Sequence, residues 1–398
     1  MKTLLQTVPT GTPLVMTRAM ISLFAFCCGA IVANIYYAQP IIGLIAPDIH
    51  MSGQTASLIV SLTQIGYALG LFFLVPLGDL LENRRLMIAT AMLSIVSLAT
   101  TALARQPGLF LLVSLLLGFS SVSVQLLIPL AAHLSPEASR GRVVGGIMGG
   151  LLLGILLARP LSSFVADHFG WRVVFGTASI LMAAITVLLA ATMPRRQPAH
   201  QAGYGQLLRS LATLMASTPV LRQRSFFQAC MFATFSLFWT AVPLELAQHH
   251  GLSQSHIAIF ALVGAIGAIA APISGRLADA GHTRPATLAA LAVGSLSFLP
   301  VLLAPSLGVA GLVVAGVVLD FCVQTNMVLG QREIYALDPA IRNRLNALYM
   351  TSIFIGGAAG SAIASIVYQQ GGWAWVCMAG SAFPVLALLP FMLKKGRA

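Results

Sequence analysis

The chain has 398 residues, of which 58% are hydrophobic and only 8% are charged, and its mean hydropathy is +0.91. So few charges cannot cover a surface in water, which excludes a soluble protein and indicates an exterior that faces lipid. The formal net charge of +12 is therefore expected to mark one face of a membrane protein and its anionic lipid, and not to bind nucleic acid.

Twelve apolar stretches follow one another along the chain, and each has about the 20 residues that a helix needs to cross a bilayer. They cover about 18–40, 54–77, 86–104, 108–131, 143–165, 171–193, 225–247, 256–275, 285–305, 307–330, 345–368 and 373–393. The stretches are continuous and rich in Leu, Ala and Gly, whereas the strands of a membrane β-barrel are short and alternating. We therefore predict an all-α integral membrane protein with twelve transmembrane helices.

Sequence features recur at a separation of about half the chain length. Asp79 corresponds to Asp279 at an offset of 200, and Trp171 corresponds to Trp373 at an offset of 202. A duplicated membrane unit is typical of a transporter. We predict two pseudo-symmetric six-helix bundles, 1–193 and 225–398, joined by a linker at 194–224 whose segment Tyr204–Met215 has the spacing of an amphipathic helix on the membrane face.

Nearly all of the 22 Lys and Arg residues fall in the termini and in the loops on one side of the predicted spans. Arg105 and Arg172 fall on the other side. Because positively charged loops stay in the cytoplasm, we predict cytoplasmic termini, a cytoplasmic central linker and a bacterial inner membrane protein.

The fifth predicted span combines a ridge of small residues with a cation. The small residues recur every four positions and are Gly146, Gly150, Gly154 and Ala158. Such a ridge allows another helix to approach closely. Arg159 follows inside the span, at a cost of roughly 2.5–3.5 kcal/mol unless it faces protein or water. We expect either Glu245 or Asp320 to be its partner, and outward snorkelling is the alternative.

Asp320 lies about 13 residues into the tenth span, roughly 20 Å below the outer surface. An acid at that depth is a candidate proton-coupling site, together with Arg159 and Glu245. A structural bond between Asp320 and a neighbouring helix is the alternative. Residues on the same helix face as Asp320 include Gln324, and Gln125 on the fourth span corresponds to Gln324 at an offset of 199. Two matching polar faces predict a cavity between the halves.

Polar and aromatic residues interrupt several other apolar spans. Together the predicted cavity residues are Asn34, Tyr37, Gln39, Gln64, Tyr67, Ser121, Gln125, Gln228, Trp239 and Gln324. Amides, phenols and an indole suit an amphipathic small molecule, although each residue taken singly could instead form an interhelical hydrogen bond.

Other chemistry is not indicated. The five cysteines lie in apolar stretches without Cys-x-x-Cys spacing, and His249, His250 and His256 are interpreted as solvated loop residues. We find no nucleotide-binding P-loop and no catalytic constellation in the spans. We therefore predict no metal, no cofactor and no enzymatic activity.

The loop after the second span reads Gly78-Asp79-Leu80-Leu81-Glu82-Asn83-Arg84-Arg85, and a second copy runs from Gly275 to Arg284. With the twelve spans and the central loop, these segments resemble the major facilitator superfamily, most closely its drug/proton antiporter efflux branch. The small-residue ridge also resembles the helix-five motif of antiporters, although Ala158-Arg159-Pro160 stands where Gly-Pro is usual.

The resemblance implies a cytoplasmic gate. Its residues are Asp79, Arg84, Arg85, Asp279 and Arg284, and the aspartate is expected to dock on a helix N-terminus and stabilise the outward-open state.

These features predict a monomeric secondary transporter, a proton-coupled exporter of a small amphipathic molecule that works by alternating access. Proton symport for uptake and a non-transporting membrane sensor on the same scaffold are the alternatives. The substrate itself cannot be read from the chain.

Overall fold

The computed structural model describes residues 17–193, 203–338 and 341–393, and the regular elements of these ranges are helices. Spans 1 to 6 are Arg18–Ala33, Leu58–Gly78, Asn83–Leu103, Pro107–Ala132, Glu137–Phe169 and Trp171–Thr192. Spans 7 to 10 are Pro219–Gln248, Gln254–Asp279, Thr283–Leu303 and Pro305–Tyr335. Spans 11 and 12 form the stretch Arg342–Leu393, and a linker helix, Tyr204–Ser217, lies between spans 6 and 7.

The helices confirm the predicted fold of twelve spans. In the described ranges, 10 helical stretches are long and apolar enough to cross a membrane, and Arg18–Ala33 is a shorter apolar helix. The backbone at Gly371 and Gly372 is not helical, and Gly372 has a φ of 62°, which glycine adopts without strain. The longest stretch is therefore two spans that turn back on each other at this point.

The linker differs from its predicted bounds at one end. Span 7 begins at Pro219 and not near 225, because proline is favoured in the first turn of a helix. Arg224 thus belongs to the span, where it pairs with Glu333 and donates to Thr287 Oγ1 at 2.8 Å. The amphipathic linker helix is present and buries Leu207 and Leu211. The first nine residues of the predicted linker, 194–202, lie outside the described residues.

We call the end of the bundle next to the linker helix the linker end, and the opposite end the far end. Spans 1 and 5 both run from the linker end to the far end and cross at their small residues. A Cβ on Gly150 would overlap the backbone of Ala25, and a Cβ on Gly154 would overlap the backbone of Gly29. The predicted ridge therefore brings two backbones into contact inside the first half.

The second half repeats this crossing between spans 7 and 11. A Cβ on Gly356 would overlap the backbone of Ala229, and a Cβ on Gly360 would overlap the backbone of Ala233. The same pair of helices is thus joined in the same way in each half, as the internal repeat predicts. Each half contains at least one tightly packed helix pair.

Polar contacts between the two halves lie toward the far end. Ser61 Oγ of span 2 donates to the carbonyl of Ala358 on span 11 at 2.8 Å. Beyond it, Ser57 Oγ accepts from the Ser365 amide at 3.3 Å, and the carboxylate of Asp167 accepts from the Ser255 amide at 3.1 Å. These bonds join the two halves at the far end.

We predict that Gly154→Ala destabilises the folded protein by roughly 1–3 kcal/mol, because the added methyl group overlaps backbone that cannot rotate away. The measurement is thermal unfolding of the purified protein in detergent. Gly149→Ala is the matched control on the same span, because a Cβ there has no neighbour within 4 Å. Equal stability of the two variants would contradict the close crossing.

Candidate functional site

Arg159 is buried where the two halves meet, with 4% of its surface exposed. Its Nε donates to Gln39 Oε1 at 2.8 Å. Gln39 follows the end of span 1, where the helix stops at Ala33 and a short turn begins ahead of Pro40. The break that proline imposes therefore places an amide oxygen opposite the guanidinium.

Three aromatic rings surround the Arg159 guanidinium. Its Cζ lies 5.1 Å from the centroid of Tyr36, 5.2 Å from that of Phe235 and 4.7 Å from that of Trp239. Rings at these distances attract a cation through their electron-rich faces, and indole does so most strongly. Phe235 and Trp239 belong to span 7, so a cation of the first half rests on rings of the second.

Asp320 contacts the edge of the Trp239 ring. The indole Nε1 of Trp239 donates to Asp320 Oδ1 at 2.9 Å, and Asp320 is 6% exposed. Gly264 and Gly267 of span 8 pack against Asp320, and a Cβ at Gly264 would lie 2.9 Å from Oδ2. The absence of side chains at these two positions gives the carboxylate room between spans 7, 8 and 10.

The corresponding crossing in the first half lies between spans 2 and 4. There a Cβ on Gly66 would overlap the backbone of Leu115 and lie 2.9 Å from the Phe119 amide. By the offset of 199 that relates Gln125 to Gln324, the counterpart of Asp320 is Ser121, which is not acidic. The acid is a feature of one copy only.

The structure pairs Arg159 with neither expected carboxylate. No ion pair within 4 Å joins Arg159 to Asp320 or Glu245 in the described chain, and outward snorkelling is excluded by burial. Glu245 Oε2 instead accepts from the Tyr368 hydroxyl at 2.9 Å and lies 3.2 Å from His249 Nδ1. The groups that contact the Arg159 guanidinium are neutral, because the amide of Gln39 and the indole of Trp239 occupy the space around it.

Two glutamines bridge the halves directly. Gln39 Nε2 donates to Thr240 Oγ1 at 3.2 Å, and Gln64 Nε2 donates to Ser236 Oγ at 2.9 Å. Both acceptors lie on span 7, on either side of Trp239 along the chain. Amides from span 2 and from the turn after span 1 thus align the first half with the helix that holds Trp239.

Further toward the linker end, Tyr67 and Phe354 meet across the halves with ring centroids 4.4 Å apart. Gln125 Nε2 donates to the Tyr67 hydroxyl at 3.2 Å and is partly exposed. Gln324 is also partly exposed, so the two predicted counterparts both border accessible space.

The remaining predicted cavity residues are not brought into one cluster. Gln228 bonds inside the second half, to the Val323 carbonyl at 3.3 Å and from Asn326 Nδ2 at 2.6 Å. Ser121 donates to the Leu117 carbonyl of its own span at 2.7 Å. Asn34 is buried, and Tyr37 is partly buried against the core.

Sequence reasoning missed several residues at this site. They are Tyr36, Phe235, Ser236, Thr240, Asn326, Phe354 and Tyr368. Tyr36 adjoins the predicted Tyr37, and the other six recur among apolar residues of spans 7, 10 and 11. Aromatic and hydroxyl side chains are common in membrane spans. The sequence alone therefore does not distinguish a residue of the site from one that only packs, whereas the contacts in the structure do.

The loop charges at the linker end form separate contacts. Asp279 pairs with Arg332 of span 10, Arg85 Nε lies 2.9 Å from Glu82 Oε2, and Arg84 donates to the Ala190 carbonyl. Arg284 lies at the start of span 9. The side chain of Asp79 lies outside the described residues, so its expected docking on a helix stays a prediction.

Two six-helix halves that enclose buried polar groups at their junction are the architecture of a membrane transporter. The sequence model of the Major Facilitator Superfamily matches residues 21–335 and 225–397, and the chain belongs to this superfamily.

Relatives and solved structures agree with this assignment. The chain is 41% identical over 375 residues to an Escherichia coli O157:H7 protein described as the uncharacterized transporter YgaY, covering 94% of this chain and 95% of the relative. It is 30% identical to the probable transporter SCO4007 of Streptomyces coelicolor, covering 93% and 86%. The nucleoside transporter NupG has the same fold, with a TM-score of 0.72 at 15% identity over 94% of this chain and 98% of that one. The chain is thus a multi-pass membrane transporter.

We predict that Gln39→Leu lowers the free energy of unfolding by roughly 1–3 kcal/mol, because it removes the acceptor of Arg159 Nε and the donor to Thr240. Thermal unfolding in detergent measures the effect. Gln106→Leu, at an exposed position, is the matched control. An unchanged midpoint in Gln39→Leu would show that these two bonds do not stabilise the fold.

Proposed function

We propose that the protein is a proton-coupled secondary transporter of the bacterial inner membrane, with Asp320 as its proton site. The observation that carries the proposal is the bond from the Trp239 indole to the buried Asp320 carboxylate, with no cation in an ion pair with that acid in the described chain. An ionisable group inside a membrane domain marks an ion pathway more often than a structural contact. No cofactor takes part, and the ligands are protons and a small molecule.

The distribution of contacts between the halves supports alternating access. The described polar bonds between the halves lie from Gln64 outward to the far end, and each residue pair shares one or two bonds between neutral groups or, at Asp167, with an exposed carboxylate. Such bonds are individually worth about 0.5–1.5 kcal/mol, so the halves separate there without loss of either bundle. With the linker end in the cytoplasm, as the positive loops predict, the described state is closed to the outside.

Export by proton antiport is the direction that resemblance to the drug/proton antiporter branch favours. In that scheme, protonation of Asp320 at the outer side follows release of the substrate. Symport is a second candidate, because Arg159 and Asp320 flank one indole and so present a cation and an acid to the same region. An anionic substrate at Arg159 would then travel together with a proton on Asp320.

We predict that Asp320→Asn abolishes coupling of substrate flux to a pH gradient, because an amide cannot exchange a proton. A substrate is first identified by thermal stabilisation of the purified protein, since a ligand at 100 times its Kd adds about 2.7 kcal/mol. Flux is then measured in everted vesicles with an acidic interior. An antiporter accumulates the substrate and raises the internal pH, whereas a symporter does neither.

Asp48→Asn is the matched control for this experiment. Asp48 lies at the far end and pairs with Arg172 on the surface, where hydrogen bonding to Arg172 lowers the pKa of Asp48. The control variant should retain coupled flux. Coupled flux in Asp320→Asn would remove Asp320 from the mechanism.

We predict that a disulfide between Asp167→Cys and Ser255→Cys stops transport, because it fixes the far end in its closed state. The five native cysteines are buried, so the oxidant acts mainly on the introduced pair. Flux should return when a reductant opens the bond, and each single variant should stay active after oxidation. Full flux by the cross-linked protein would contradict opening at the far end.

A further inference from the structure

Among the buried polar atoms without a hydrogen-bond partner in the described residues, three belong to span 5 or to the residue that follows span 1. They are Asn34 Nδ2, Arg159 Nη2 and Ser163 Oγ. The exposed fractions of these residues are 2%, 4% and 0%, so bulk water does not satisfy the three atoms. An unsatisfied buried donor costs about 1–3 kcal/mol, and a charged one costs more. Their presence together calls for a ligand.

Asn34 and Arg159 lie at a similar level, because Arg159 contacts Tyr36 and Gln39 of the segment that begins at Asn34. Gly29 of span 1 packs on Gly154 of span 5, and both spans run toward the far end. Asn34 follows Gly29 by the same number of residues as Arg159 follows Gly154. Ser163 lies one helical turn beyond Arg159 on the same face of span 5.

No carboxylate forms an ion pair with Arg159 within 4 Å in the described residues. Its hydrogen-bond acceptor is the amide of Gln39, and its other neighbours are the rings of Tyr36, Phe235 and Trp239. Asp320 acts on this cation only at longer range, and a buried guanidinium without a directly bonded anion is unfavourable. Since Tyr36 belongs to one half and Phe235 and Trp239 to the other, separation of the halves opens the ring cage around this cation.

We propose that Arg159, with Asn34 and Ser163, binds the anionic group of the transported substrate, and that the substrate is a small carboxylate with a flat apolar body. The guanidinium fork matches a carboxylate, Asn34 Nδ2 supplies a further donor, and the cage rings pack against the body. The proposal rests on the proposed transport function and specifies its substrate class.

This assignment has a consequence for coupling. A bound anion and an ionised Asp320 would both be attracted to Arg159 and would repel each other. Protonation of Asp320 therefore strengthens anion binding, and by reciprocity the bound anion favours protonation of Asp320. A carboxylate substrate therefore supports the symport candidate over the antiport one.

We predict that the purified full-length protein binds benzoate and binds neither benzamide nor benzylamine. Binding of radiolabelled benzoate is measured by scintillation proximity, with the two uncharged or cationic analogues as competitors. Arg159→Gln should weaken benzoate binding at least tenfold, and Arg159→Lys should weaken it less because the charge remains. Arg105→Gln, at an exposed far-end position, is the matched control and should leave affinity unchanged.

Asp320→Asn gives an independent readout, because the neutral amide imitates a protonated acid. We expect this variant to bind benzoate as tightly as the parent protein at low pH and more tightly at high pH. If Arg159→Gln fails to fold, the analogue series on the parent protein decides the question. Benzoate that does not bind, competes equally with benzamide, or binds undiminished to Arg159→Gln overturns the anion site.

Failure of the anion site and failure of the proton site give different results. Benzoate binding that depends on Arg159, together with pH-coupled flux in Asp320→Asn, would uphold the anion site and refute the proton site. Loss of coupling in Asp320→Asn, without any benzoate binding by the parent protein, would uphold the proton site and refute the anion site.

Discussion

The indole of Trp239 contacts both a buried cation and a buried acid. Its N–H donates to Asp320 at the ring edge, while its face receives Arg159. A direct ion pair at this depth would be strong and hard to break, whereas contact through one shared neutral ring leaves each charge able to change its partner. The glycines of span 8 pack against the acid, and the amide of Gln39 accepts from the cation.

Backbone-to-backbone contacts at glycines lie inside each half. Within a half, spans 1 and 5, or 7 and 11, approach so closely at glycines that their backbones touch. Between the halves, spans 2 and 11 and spans 5 and 8 pack against each other, with hydrogen bonds such as Ser61 to the Ala358 carbonyl and Gln64 to Ser236. Contacts of this kind exchange partners more readily than touching backbones, and this difference supports the proposed movement of the halves as two bodies.

Hydropathy and the internal repeat were sufficient to predict the twelve spans and the two-bundle fold, because a bilayer permits few alternatives. The same constraint made Asp320, Arg159 and Trp239 conspicuous in the sequence. It could not assign their partners, since the neighbours of Arg159 come from the segment after span 1 and from span 7, and the bond of Glu245 comes from Tyr368 on span 11. The second glycine crossing was visible as Gly356 and Gly360, but its partner Ala229 gives no signal of its own.

The two copies have diverged at one crossing, where Asp320 in the second half packs against Gly264 and Gly267, while spans 2 and 4 of the first half contain no acidic residue. The backbone has kept its twofold repeat here, but the chemistry has not. The duplicated architecture therefore supports a buried acid in one half alone, and the two halves present unlike surfaces to each other.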